Sequence, residues 1–334
     1  MSGGRRWTPK MASTAVFVLL ALTFIYYSMS LKESSQADNH HTTALLNLPS
    51  DLESQTLARF DDLVSKGEVL WEPSNAELYD DHGFEFEFRQ TTAFNKKPST
   101  PANDPGRTKA GGPFMSPRNS ITLIPQLGPR HRVLFNEFCV WRPMLLLTTT
   151  AYERQTEPLN IHDISASLAL LRTYHSPYMM IYNCGVNGGS SQGHKHMQIH
   201  PQPEKAKLFM AAAESSEIIS DRIKGVPYKH YVLRIPHSAT GEDVLRIHDH
   251  LLERTHRALQ KAQAGDGYNV VMTTEFIGLI PRRTAKTPDA SDVFGINAAG
   301  MMGLVTVRSE KERERWAELG YGKYLARLGL PIDE

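Results

Sequence analysis

Cysteine is nearly missing from this chain. Cys139 and Cys184 are the two among 334 residues, in unrelated surroundings, which leaves no disulfide framework and no paired-cysteine zinc site. No Asn-x-Ser/Thr acceptor with a permissive middle residue occurs either. Both absences point to a reducing, non-secretory setting, cytoplasmic for the folded body. An excess of one charge is also lacking: the formal net charge is +1, with acids and bases interspersed. That excludes a global field able to recruit nucleic acid, so an anionic ligand has to be held locally. Hydrophobic residues make up 40% of the chain, enough for one large core or two moderate ones.

Long apolar runs are absent with one exception, which opens at Ala12 and closes at Leu31. It is just long enough to span a bilayer at about 1.5 Å per residue. Arg5, Arg6 and Lys10 ahead of it would hold that end in the cytosol and carry the remainder across, giving a membrane-anchored protein. A cleaved signal peptide, an organelle-targeting segment, or a wrongly joined first exon with Met29 as the true start are the competing readings.

Residues 32–56 are polar and aperiodic and read as a linker, with folding expected from about Leu57. Phe84, Phe86 and Phe88 alternate with Glu85, Glu87 and Arg89, the period of a strand with one buried and one wet face. Residues 95–120, rich in Pro, Gly, Lys and Thr, form a long loop of the kind that often carries function. Strands are expected over 132–140 and 144–149, broken at Arg142-Pro143. Ile164, Leu168 and Leu171 mark a helix, and residues 178–182 a buried strand. A helix-prone polar stretch, 204–223, separates a second block. There Val244, His248, Leu251, Thr255 and Leu259 line a long helix that Gly265 can end. Strands over 268–273, 276–280 and 298–307 and a charged helix from Glu310 complete the chain, which contains no fixed-period repeat.

Chemistry concentrates in residues 183–203, NCGVNGGSSQGHKHMQIHPQP. Gly185, Gly188 and Gly189 permit a turn whose successive N–H groups converge on an anion, with the Ser190 and Ser191 hydroxyls beside them. Such turns are common, and alone this one means little. In the strand that follows, however, His194, His196, Gln198 and His200 point to one face and Lys195, Met197 and Ile199 to the other. The turn delivers a phosphate to a surface of three imidazoles and an amide. A neutral imidazole attacks phosphorus without a separate base, and its phosphoramidate is labile enough to pass the group on. Two other readings remain open on the residues alone: a zinc clamp of His-x-His with His200 or a distant carboxylate, and a surface strand with satisfied imidazoles.

With these residues the sequence resembles the histidine triad superfamily, in the branch where glutamine replaces the third histidine. That branch holds the galactose-1-phosphate uridylyltransferases and the fungal-type diadenosine tetraphosphate phosphorylases (ATP adenylyltransferases). The block from Tyr182 through Gly-Ser-Ser-Gln-Gly-His-Lys-His-Met-Gln-Ile is similar to the phosphorylases, and Lys195 stands where the uridylyltransferases have proline. The likeness runs from about Phe86 to Pro331. It takes in Lys96-Lys97-Pro98, Pro113-Phe114, Leu134 to Asn136, Gln155 with Leu159, Tyr268-Asn269, Pro281-Arg282 and Ile296-Asn297.

The resemblance implies an α+β fold: a histidine-triad-like antiparallel sheet with flanking helices. Behind the segment and linker of residues 1–56 it places a catalytic domain over 57–225 and a C-terminal ATP adenylyltransferase domain over 226–334, packed together. It makes His196 the nucleophile and His194 and Gln198 its neighbours. Asn183, Gly189, Ser190, Ser191 and Gln192 become the phosphate loop, and Lys96 or Lys97 the cation facing polyphosphate. The implied ligands are dinucleoside polyphosphates, ATP, ADP and phosphate, with no metal site and no tightly bound cofactor, magnesium arriving on the nucleotide. The implied reaction is phosphorolysis of diadenosine tetraphosphate through an adenylyl-histidine. A hydrolase or nucleotidyl transferase of the same superfamily and a non-catalytic nucleotide sensor are its rivals. Glu137, where the family usually has lysine, and Arg142-Pro143-Met144, in place of a histidine-containing turn, bear on nucleotide preference.

Overall fold

The computed structural model describes residue 46 and residues 48–97 and 104–332. The apolar run of 12–31, most of the expected linker and Pro98 lie outside the described residues. Among those described, no helix is long and apolar enough to cross a membrane.

The first described helix, α1 (Leu52–Ser65), lies partly inside the stretch expected to be linker. It forms there because Leu52, Phe60 and Leu63 share one buried side, with Phe60 edge-on to Trp71. Strands β1 (Glu77–Asp81) and β2 (Phe84–Gln90) form an antiparallel pair that β11 (Leu304–Val307) extends in parallel. The three phenylalanines of β2 are buried as their alternation requires, but the opposite face is not wet: Glu87 and Arg89 are buried too. Arg89 Nε donates to Glu87 Oε1 at 2.8 Å, while Glu87 Oε2 accepts from the amides of Lys205 and Ala206 and Glu85 Oε2 from that of Lys207. The helix-prone stretch 204–223 keeps a single turn, Phe209–Ala212; the amides at its start bond to these carboxylates and that of Ser220 to the Val232 carbonyl.

The main sheet contains β3 (Thr122–Leu127), β4 (His131–Phe135), β5 (Leu145–Thr149), β6 (Tyr178–Cys184), β7 (His196–Pro201), β8 (Tyr231–Arg234), β9 (Tyr268–Met272) and β10 (Phe276–Pro281). Its order is β3-β4-β5-β7-β6-β9-β10-β8, every pair antiparallel. Pairing of β6 with β9 carries the sheet from the first half of the chain into the second. Strand β4 stops at Phe135, short of the expected Val140. Beyond it the Asn136 side chain takes the Phe138 amide, and Leu70 pairs with the backbone of Glu137 and Cys139.

Helices α2 (Ile161–Thr173) and α3 (Gly241–Lys261) pack together on one sheet face, each opened by a capping box, Asn160 with Asp163 and Thr240 with Asp243. Across from them, the Phe209–Ala212 turn and a short helix, α4 (Ala298–Met301), cover the other face. Residues 298–307 therefore are not one strand: Asn297 accepts from the Gly300 amide and caps α4 before β11 begins. The terminal charged segment breaks at Gly320 into α5 (Glu310–Leu319) and α6 (Tyr321–Leu328).

Lys195, on the helix-covered face of the sheet, is fully buried. Its ammonium meets Asp163 Oδ2 at 2.6 Å, the Pro158 carbonyl at 2.8 Å and Glu153 Oε2 at 3.5 Å. Asp163 Oδ1 accepts from His131 Nε2 at 2.8 Å. Burial alone would raise the Asp163 pKa, but the His131 hydrogen bond and the Lys195 charge override it and hold the carboxyl below its usual range. Lys195→Met should lower stability by roughly 3–5 kcal/mol in urea unfolding, because it strands a buried carboxylate. Adding Asp163→Asn, which removes that charge, should recover part of the loss.

Candidate active site

His194, His196 and Gln198 lie together on the face of β7 opposite Lys195, as their spacing requires. Register places His196 beside Thr148 and Gln198 beside Leu146. The His196 Nδ1–H donates to the His194 carbonyl at 2.8 Å, so the ring lone pair belongs to Nε2, which has no partner among the described residues. Gln155 clamps the strand from the side: its Oε1 accepts from the His196 amide at 2.8 Å, and its Nε2 donates to the carbonyls of His196 and Asn183. Phe114 lies 5.1 Å from the His196 ring, centroid to centroid, and packs with Leu134 and Leu146. His194 Nε2 donates to the Thr149 carbonyl at 3.0 Å, and its Nδ1 is buried without a partner.

Burial pulls the His196 pKa down to about 4, opposed by the hydrogen bond to His194 and reinforced by the charges of Lys97 and Arg107. Near neutrality the imidazole is uncharged and its Nε2 nucleophilic. Burial lowers the His194 pKa in the same direction.

Two cavities meet here. One, about 490 Å³, is lined by His194, His196, Gln192 and Gly193 and walled by Phe114, Ile121, Leu134 and Leu146. The other, about 660 Å³, is lined by the turn residues Gly189, Ser190 and Ser191 and by residues 284–286 and 293–297 of the second half. Four cations, Lys97, Arg107, Lys286 and Arg308, border the larger cavity and no carboxylate does. Lys97, Arg107, Asn136, Ser191 and Gln198 border both.

The turn departs from its expected form. Gly189, at φ +88°, has left-handed backbone, and a Cβ there would fall 2.6 Å from the Ile296 carbonyl oxygen. The amides of Gly189 and Ser190 are spent inside the turn, on the carbonyls of Val186 and Gly185. Those of Ser191, Gln192 and Gly193 meet no acceptor among the described residues, so the uncommitted amides lie further along the chain than the glycines suggest. Ser190 Oγ donates to the Gln192 carbonyl at 2.6 Å.

Three other expectations change. Asn183 lines neither cavity; its Oδ1 accepts from Asn269 Nδ2 at 2.9 Å and the Ala298 amide at 2.8 Å, so it joins the two halves. Lys96 is exposed and lines neither cavity, whereas Lys97 is half-buried and lines both. His200, on the same strand face, is stacked 4.2 Å from Trp141 with its Nδ1 bound to the Pro201 carbonyl, and lines neither cavity, although Trp141 borders the larger one. With His200 so engaged, and no group of three or more His, Cys, Asp or Glu among the described residues placed to hold a metal ion, the zinc-clamp geometry is not assembled.

Arg107 escaped the sequence reading because a lone arginine in a proline- and glycine-rich loop has no period. Its guanidinium donates to the carbonyls of Ser190 and Ser191 at 3.2 and 3.1 Å, and its own carbonyl accepts from Tyr152 Oη. The loop crosses so closely over Gly193 that a Cβ there would sit 1.9 Å from the Arg107 oxygen. Gln155 was visible in sequence only through the family resemblance, since a single glutamine gives no signal of a strand clamp.

Residues 42–213 match the family described as Ap4A phosphorylase N-terminal domain, and residues 224–331 the ATP adenylyltransferase C-terminal domain. Among curated proteins the chain is similar to diadenosine 5',5'''-P1,P4-tetraphosphate phosphorylase 2 of Saccharomyces cerevisiae, 26% identical over 69% of this chain and 79% of that protein. It is also similar to Protein APA1 of the same yeast, 28% identical over 62% of this chain and 72% of that one. The fold superposes on crystal structures of yeast Ap4A phosphorylase Apa2. The complex with AMP matches with TM-score 0.71 at 23% identity, covering 84% of this chain and 97% of that one. The complex with Ap4A has the same TM-score at 22% identity, covering 85% and 99%.

His196 and His200 both have folded pKa values drawn by burial from 6.5 to about 4. The unfolded chain therefore binds more protons between those values, and stability falls as pH drops through that window, then levels off below it. Each histidine should contribute a slope of at most about 1.4 kcal/mol per pH unit. Urea unfolding at pH 7 and pH 4.5 measures it, and His200→Phe, which keeps the stack on Trp141, should remove one histidine's share.

Proposed function

The chain belongs to the Ap4A phosphorylase family, and on that footing we propose how its residues carry the family's reaction. The activity is phosphorolysis of diadenosine tetraphosphate to ATP and ADP, and its reverse. One observation supports the assignment of roles above the others. The neutral His196 ring, with its free Nε2, lines the smaller, largely apolar cavity, which shares Lys97, Arg107 and Gln198 with the cation-lined one.

In the proposed reaction the apolar cavity takes one adenosine, with its α-phosphate at His196, and the cation-lined cavity takes the rest of the polyphosphate. The Nε2 lone pair attacks the α-phosphorus, the bond to the bridging oxygen breaks, and ATP departs from an adenylyl-histidine. An oxygen of inorganic phosphate then attacks the same phosphorus, the N–P bond breaks, and ADP leaves with His196 restored. Cations and amides fixed before the reaction stabilise the charge that develops on the phosphoryl oxygens. In this reading Lys97, Arg107, Gln198 and the amides of Ser191 to Gly193 do that work. Magnesium travels with the nucleotide as part of the substrate and needs no protein ligand set. The two buried free thiols suit a reducing, cytoplasmic setting for the catalytic body.

Enzyme mixed with adenine-labelled diadenosine tetraphosphate in phosphate-free buffer should acquire label on His196, stable to base and lost in acid. Added phosphate should release it as ADP; release as AMP without phosphate would mark a hydrolase. His196→Ala should accept no label. His194→Ala and Gln198→Ala should still label, about ten- to thousand-fold more slowly. Labelling that survives in His196→Ala but disappears in His194→Ala would overturn the assignment.

The two lysines offer a separate check. Lys97→Ala should reduce kcat/KM roughly ten-fold or more, the loss of one phosphate-directed cation. Lys96→Ala should behave like wild type in the same assay.

A further inference from the structure

Arg282 is fully buried, and among the described residues no carboxylate lies within ion-pair reach. Four oxygens of neutral groups hold it instead. Nη1 donates to Asn269 Oδ1 at 2.6 Å, Nη2 to the carbonyls of Thr284 and Ile296, each at 2.9 Å, and Nε to the Leu328 carbonyl at 3.3 Å. Burial draws its pKa down to about 9, so it remains charged at neutral pH.

These partners are not scattered. Thr284 and Ile296 line the cation-rich cavity. The Ile296 carbonyl that Arg282 holds is also the oxygen against which Gly189 is packed too closely for a Cβ. Asn269, fixed by Arg282 through its oxygen, turns its amide nitrogen to the Gly188 carbonyl at 2.7 Å and to Asn183 Oδ1 at 2.9 Å. Asn183 in turn accepts the amide of Ala298. One guanidinium thus ties together both walls of the cavity, the glycine turn of the first half and the 284–297 segment of the second. A buried cation without a counter-ion is costly, and a chain that wanted only a rigid joint would do better with a neutral one.

We propose that Arg282, acting through Asn269 and Asn183, is the positioning residue of the polyphosphate cavity, and that the polyanionic substrate supplies the counter-charge the fold leaves out. This rests on the reading that the larger cavity takes the polyphosphate. Arg282 does not touch substrate; it sets the distance between the turn and the opposite wall and contributes its field from beneath them.

Asn269→Asp tests both parts. It pairs with Arg282 and cancels the buried charge, but cannot donate to Gly188 or Asn183. In the full chain, at a temperature where circular dichroism shows it folded, the Kd for ATP and the KM for diadenosine tetraphosphate should each rise ten-fold or more. Amide exchange at Gly188 to Ser190 should quicken selectively. A Kd and KM within three-fold of wild type, with unchanged exchange at those amides, would overturn the proposal even if the melting temperature fell. Should that variant not fold, Arg282→Lys, which keeps the charge but breaks the fork, decides by the same three readings. Wild-type enzyme that turns over without measurable ATP binding in this cavity would instead sink the cavity assignment, a separate failure.

Discussion

The hydrogen bond from His196 Nδ1 to the His194 carbonyl decides what the rest of the site can do. A carbonyl only accepts, so the bond fixes the tautomer and leaves the lone pair on the other ring nitrogen. It is a bond between neighbours on one strand, and it holds only while the strand is straight and its backbone fixed. Gln155 supplies that from the side, with three hydrogen bonds to β6 and β7. Lys195 supplies it from behind, through an ion pair to the helix that covers the sheet. Phe114 supplies the dry roof that keeps the ring uncharged. Residues with no chemistry of their own thus determine which ring nitrogen of His196 keeps its lone pair.

The surrounding electrostatics favour the same outcome. A protein of nearly zero net charge gathers four cations around one cavity with no acid among its lining, Arg308 being ion-paired to a glutamate, Glu312, behind the wall, so the attraction for an anion is local. Two of the four, Lys97 and Arg107, disfavour protonation of His196. A field that favours an anion therefore also keeps the His196 imidazole neutral.

Much of this was legible in the chain and some was not, for identifiable reasons. The side shared by His194, His196 and Gln198 follows from the period of two alone, and the long helix α3 from its spacing of three and four. Residues 204–223 do not run as a helix; their hydrogen bonds go to partners distant in sequence, Glu85, Glu87 and the Val232 carbonyl, which no local propensity reveals. His200 has the right parity but the wrong neighbour, Trp141, which no pattern on its own strand reveals. The family resemblance puts Asn183 in the phosphate loop, yet its oxygen is taken by Asn269 and Ala298 from the far half. Spacing could not separate Lys96 from Lys97, because adjacent residues of an irregular loop diverge only once the loop is folded over the sheet.

The pairing of β6 with β9 has a consequence for how the protein comes into being. Strand β6 is a central strand in the finished sheet, fully buried along its length. During synthesis it emerges with β7 available on one side, while its other edge must wait for β9, translated much later. At a typical 5–20 residues per second that delay is on the order of ten seconds. For that interval the nascent chain presents an unpaired, apolar strand edge, the surface most prone to pair with a stranger. The fold that joins two matched regions through one seam thereby makes the newborn first half dependent on prompt completion or on a chaperone, and unsuited to life on its own.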